Sequence, residues 1–146
     1  MAAETPWTTL TIADNIGSDF RVGGGTLLCR YRRNGDGLVF VNFAFLWADD
    51  TRGDSAGDTW RFSLPNEFPS FYYDASGVLL PRIPNALGAC DCYDASTTTT
   101  TRTHAFIGYQ SAQWFLWFEG VTNTAPFTWA TGDQLFATVV AEGLHT

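Results

Sequence analysis

Four carboxylates fall within the segment Asp49-Asp50-Thr51-Arg52-Gly53-Asp54-Ser55-Ala56-Gly57-Asp58. Oxygen ligands at that density are what a hard cation such as Ca²⁺ requires. The spacing does not follow a helix-flanked calcium loop, however, and Asp and Gly are the ordinary residues of exposed β–β turns. The segment, including Arg52-Gly53-Asp54, is therefore read as a turn and no metal ligand is assigned. His104 and His145 stand far apart, and Cys90 and Cys92 lack the Cys-x₂-Cys spacing of a zinc site. A satisfied strand histidine is the better reading of His104. No Gly-x-Ser-x-Gly elbow occurs, and no two acids single themselves out for glycoside hydrolysis. The residues thus nominate no catalytic group, metal or cofactor, and the chain is read as a non-enzyme.

The aromatic residues are the stronger candidates. Phe68, Phe71, Tyr72 and Tyr73, and again Trp114, Phe115, Trp117 and Phe118, crowd short segments in which successive strand residues face opposite sides. Some of them must point away from the core, and outward aromatics are typical of protein contacts and sugar platforms. Trp7, Leu10, Phe71, Tyr72, Tyr73, Trp114 and Trp117 are assigned to an interface, either with other copies of the chain or with the larger assembly that it joins. A sugar platform pairs an aromatic ring with polar neighbours, and Trp47 beside Asp49, or Trp129 near Asp133, fits that pattern. Asp50, Asp54 and Asp58 join Trp47, Asp49 and Trp129 as the candidate receptor or glycan loops.

The elements that must position these side chains follow from composition and punctuation. A chain of 146 residues with 45% hydrophobic and 16% aromatic residues is one domain with ample core material. Its net charge is −7, and all its basic residues are Arg. An acidic surface without a basic stripe argues against nucleic acid and anionic membrane as partners. No apolar run is long enough to cross a bilayer as a helix. The first ten residues lack the basic start and apolar stretch of a secretory signal, so the protein is expected to fold where it is made. The odd cysteine count agrees, with Cys29, Cys90 and Cys92 all read as thiols and Cys29 as a small core residue.

Asn34-Gly35-Asp36-Gly37 supplies the positive φ angles of a tight hairpin between Thr26–Arg33 and Leu38–Trp47. In the second of these strands both faces are apolar, which places it between two layers or at a subunit interface. Further strands are read at Trp7–Ile12, Thr59–Leu64, Phe71–Tyr73, Val78–Arg82, Leu87–Tyr93, Thr103–Tyr109, Trp114–Glu119 and Gln134–Glu142. The Thr97–Thr101 run sits in loop-like surroundings. No window shows a sustained apolar period of 3.6 residues. The expectation is an all-β, antiparallel sandwich or jelly roll of eight or more strands with little or no helix. Residues 1–12 form an arm and first strand, and 13–146 the single sandwich domain.

Three segments carry a family resemblance. Tyr31-Arg32-Arg33-Asn34-Gly35-Asp36, Trp60-Arg61-Phe62-Ser63-Leu64-Pro65, and Pro126-Phe127-Thr128-Trp129-Ala130-Thr131-Gly132-Asp133-Gln134-Leu135 before a final strand resemble the small β-sandwich domain of tailed bacteriophages of actinobacteria. The resemblance covers Leu27 to Glu142. In that family the domain ends minor tail proteins, and free-standing versions decorate capsids. The resemblance implies a virion-surface protein, assembled in the host cytoplasm, that works as a homotrimer on the major capsid protein or other virion proteins. With few residues ahead of the first motif, it fits a decoration protein better than a fibre end. The alternative it leaves is a tail-tip module that binds a host receptor or surface carbohydrate.

Overall fold

The computed structural model describes residues 6–14, 20–33, 38–51, 57–64, 86–110 and 113–142. Among these residues it is all-β, with nine strands: β1 (Thr8–Leu10), β2 (Ala13–Asp14), β3 (Thr26–Arg33), β4 (Leu38–Leu46), β5 (Arg61–Ser63), β6 (Ala86–Asp94), β7 (Thr99–Gln110), β8 (Gln113–Phe118) and β9 (Gln134–Glu142). They form one antiparallel sheet in the order β1-β3-β4-β9-β6-β7-β8-β5-β2. The β-branched and aromatic content of β3, β4 and β9 suits such a pleated surface.

The sheet curls over so that one face closes on itself. Phe43 of β4 lies 5.0 Å from Phe62 of β5 and 4.8 Å from Phe118 of β8, ring centre to ring centre, although these strands are far apart in the sheet order. Trp47, Trp60 and Trp129 stack beside that contact, with Trp60 and Trp129 4.7 Å apart. Val39, Val41, Phe43 and Phe45 of β4 all point into this core, as do Cys29, Cys90, Cys92, Leu135 and Val139. At Gly88 the chain needs the absence of a side chain, since a Cβ there would lie 1.9 Å from the Thr138 carbonyl oxygen.

The N-terminal segment joins the two ends of the sheet. Leu10 pairs with Cys29 at one end, and Ala13 pairs with Ser63 at the other. Only Thr11 and Ile12 lie between, so one extended stretch crosses from edge to edge and draws the curl closed.

Three sequence readings change. β7 begins at Thr99, so part of the Thr run is strand, and the hairpin turn is Ala95–Thr98, with Thr98 at φ 55°. The Asp94 carboxylate shapes that turn by accepting from the Ser96 and Thr97 amides. β4 is buried on one side only: its alternate residues Leu38, Phe40, Asn42 and Ala44 are half-buried and Leu46 is exposed. Trp7–Ile12 divides between β1 and the crossing to β2. The strands read at Phe71–Tyr73 and Val78–Arg82 lie outside the described residues.

Candidate interaction surface

The outer face of β3, β4, β9 and β6 carries apolar side chains in register. Leu28, Ala44, Phe136 and Asp91 are successive neighbours across it. Leu28 is 41% exposed, Leu46 38% and Phe136 50%. These are the large exposed hydrophobic residues among those described, and they belong to one patch rather than being scattered singly.

Relief comes from the pairing of Ala44 with Phe136, a short side chain beside a large one. A hollow of about 290 Å³ on one side of the Phe136 ring is lined by Leu28, Arg30, Asn42, Ala44 and Thr138. A second, of about 230 Å³, is lined by Thr26, Ala44, Leu46, Gln134 and Phe136. Within the first, the Thr138 hydroxyl donates to Asn42 Oδ1 at 3.2 Å.

Charge frames the patch. On the β3 side the Arg30 guanidinium lies 4.5 Å above the Trp7 ring and that of Arg32 4.9 Å from it. On the β6 side Asp91 receives two bonds from Arg102, Nε to Oδ1 at 2.8 Å and Nη2 to Oδ2 at 3.1 Å. That fork holds the Asp91 carboxyl below its ordinary pKa. His104 Nδ1 lies 3.4 Å from Glu119 Oε2 one strand further on.

The sequence-assigned interface residues are divided by the fold. Trp7 lies on this face under the two guanidiniums, but Leu10 is buried in the core and offers no surface. Trp117, in β8, stacks parallel to Phe106 at 6.0 Å, with Arg61 5.0 Å from its ring. Trp114 lies in β8 opposite Tyr109. Phe71, Tyr72 and Tyr73 are outside the described residues.

The proposed sugar platforms are not platforms. Trp47 and Trp129 are 8% and 5% exposed, packed into the stack with Trp60, because the core needed large rings at the end of the curl. Trp129 Nε1 donates to the Thr122 carbonyl at 2.9 Å, so the polar edge is satisfied internally. Asp133 is buried as well, its carboxylate accepting from the amides of Ala95 and Ala130. Asp49 accepts from the Thr131 hydroxyl at 2.5 Å, and Asp50 from the Gly24 amide at 2.7 Å. These two exposed carboxylates tie loops together. Asp54 lies outside the described residues. Asp58 instead meets Trp117: with Thr59 and Arg61 they line a hollow of about 320 Å³. That grouping joins one assigned interface residue to one assigned loop residue.

The thiols are core residues. Cys90 and Cys92 point to the same buried side with their sulfurs 3.9 Å apart, and all three cysteines are free. Burial pushes the Cys29 thiol up to about 12. Hydrogen bonding to Cys92, and then burial, raise that of Cys90. Nucleophilic chemistry needs the thiolate, which these surroundings oppose. Among the described residues no three His, Cys, Asp or Glu side chains are grouped to hold a metal ion.

Sequence reading missed Leu28 and Phe136. The signal was present in the two-sided apolar pattern of β4 and in Gln134-Leu135-Phe136, where Leu135 and Phe136 must face opposite sides. No known family model, curated protein or solved structure matches this chain.

Proposed function

We propose that the chain is a structural protein of a bacteriophage virion, an external decoration protein that binds the capsid surface as a homotrimer and stabilises the shell. The three segments that resemble the phage β-sandwich domain support the virion assignment. The observation that carries the mode of action is the row Leu28, Ala44 and Phe136 on the outer sheet face, with Leu28 and Phe136 exposed. A surface of this kind works by losing water to a partner surface, with an aromatic anchor near the centre and charges at the rim. Three copies on one trimer multiply a modest single contact through effective concentration.

The test is the copy number of this polypeptide in purified virions, measured by quantitative mass spectrometry against the major capsid protein. A ratio of the order of one per capsid subunit supports decoration. A handful per particle moves the protein to the tail, and absence from particles removes the virion reading.

A second reading, a receptor- or carbohydrate-binding module at the tail tip, draws on the hollow of Asp58, Thr59, Arg61 and Trp117. There the indole stands between Phe106 and Arg61 and shares the hollow with the Asp58 carboxylate, so polar groups beside the ring would carry the contact. A glycan-array signal abolished by Trp117→Ala, with the fold intact, would favour it.

A further inference from the structure

We infer that the outer face of β3-β4-β9-β6 docks on the same face of a second copy of this chain about a two-fold axis running close to the strand direction between β4 and β9. This rests on reading the face as a protein contact and gives it to a second copy in the free protein, so that attachment to the shell through the same face requires the dimer to open.

The geometry comes from the register. Across the face the order is Leu28, Ala44, Phe136, Asp91, with Arg30, Asn42, Thr138, Ala89 forming the next row. A two-fold axis along the strands keeps the rows and reverses the strand order. Phe136 of each copy then stands over Ala44 of the other, where the side chain is short and hollows lie to either side. A contact that puts one patch against itself must be self-complementary, each projection meeting a recess. An adjacent projection and recess, one on each side of the central axis, meet that condition.

Charge matches under the same operation. The β3 side, carrying Arg30, comes to lie over the β6 side, carrying Asp91, one row away. Asp91 has accepted two bonds from Arg102, and a carboxylate has about four acceptor positions, so a second guanidinium can be received. Within the rows Leu28 comes to lie over Asp91 and Arg30 over Ala89, so the opposite charges meet diagonally and Asp91 is shared between Arg30 and Arg102. The face is roughly 19 Å wide, four strands at ~4.8 Å each. That is small beside a standard interface, so a dissociation constant in the micromolar range is expected. A trimer contact on other strands would be compatible with it.

The experiment is sedimentation velocity on the full chain over a concentration series up to about 0.5 mM, which brackets weak micromolar association. Circular dichroism melts confirm folding of each variant. Wild type is expected to move from monomer to dimer, and Phe136→Asp to raise the dissociation constant by at least about tenfold. Ala44→Phe, which sets projection against projection, should also dissociate it. The double exchange Ala44→Phe with Phe136→Ala restores one projection and one recess per copy, and should recover dimerisation. If Ala44→Phe instead strengthens association, the contact is unspecific stickiness and the two-fold arrangement is overturned. If wild type stays monomeric throughout, the second copy is overturned as occupant. In that case loss of binding to purified protein-depleted particles by Phe136→Asp would keep the face as a contact for another protein. Unchanged particle binding would remove the face from both readings.

Discussion

The Asp133 carboxylate accepts a hydrogen bond from the Ala95 amide at 2.9 Å, across 38 residues of sequence. Its other oxygen accepts from the Ala130 amide at 2.6 Å, and its backbone carbonyl takes the amide of Trp47 at 3.0 Å. One buried acid therefore fixes the β6–β7 turn, the loop before β9 and the end of β4. Replacement by Ala leaves two amides without their charged acceptor, at ~1.5–3 kcal/mol for each bond. Asp133→Ala is expected to lower the urea midpoint by an amount equivalent to ~3 kcal/mol or more, with Asp133→Asn milder.

Gly88 is expected to tolerate no side chain. A Cβ would meet the Thr138 carbonyl at 1.9 Å, and that oxygen belongs to the paired strand β9 and cannot swing aside as a side-chain tip would. Gly88→Ala should cost several times the ~0.5–1 kcal/mol by which Ala ordinarily improves on Gly in a strand, and with opposite sign. Thermal melts of the purified variant check it.

The buried thiols predict an alkaline loss of stability. Cys29 is held protonated to about 12, whereas the unfolded thiol ionises near ~8.5. Above that lower value the unfolded chain binds fewer protons than the folded one, so stability is full below it and falls as pH rises toward the folded value. The slope is ~1.4 kcal/mol per pH unit for each such thiol. Cys90 shifts in the same direction. Urea midpoints between pH 9 and 11 should fall steeply, and less so in Cys29→Ala. At neutral pH a disulfide reagent should titrate no thiol rapidly until denaturant is added.

Asp91 and Arg102 predict a small effect of the opposite sense. The guanidinium lowers the Asp91 pKa, so the stabilisation is present above the unfolded carboxylate value and is lost as pH falls through the folded one. Both side chains are open to solvent, which screens the pair. Asp91→Asn should therefore change stability by less than ~1 kcal/mol at pH 7. A larger shift in the melting curve would show that the pair does more than decorate the surface.

Truncation separates the arm from the seam. Removing residues through Pro6 leaves β1 and β2 in place and should preserve the cooperative melt. Removing residues through Asp14 takes away Leu10 and both edge pairings, and should expose the core. Dye binding to apolar surface distinguishes the two outcomes.

How far the sequence spoke for the structure depended on where the physics was local. The strands around Asn34–Gly37 were legible because turn chemistry and alternation lie side by side, and β3 spans the expected Thr26–Arg33. Gln134–Glu142 likewise matched β9. The fate of Trp47 and Trp129 was not legible, since only the long-range curl brings them together with Trp60. Asp133 looked like a surface acid because the amides that bury it come from Ala95 and Ala130, and no spacing rule connects them. The outer face was half legible: alternation said that β4 had two apolar sides, and the sheet order decided which one stayed uncovered.

The position of β9 has a consequence for how the chain is made. This last strand lies between β4 and β6, bonded to both along nearly its whole length. Until residues 134–142 are made, β4 and β6 face one another with open edges, their groups of strands linked only through the β1–β2 crossing at the far edges. Such edges are templates for pairing with other chains. Because the pairings of both β4 and β6 wait for β9, folding should be slow. Prematurely terminated chains should aggregate rather than persist as partly assembled sheets.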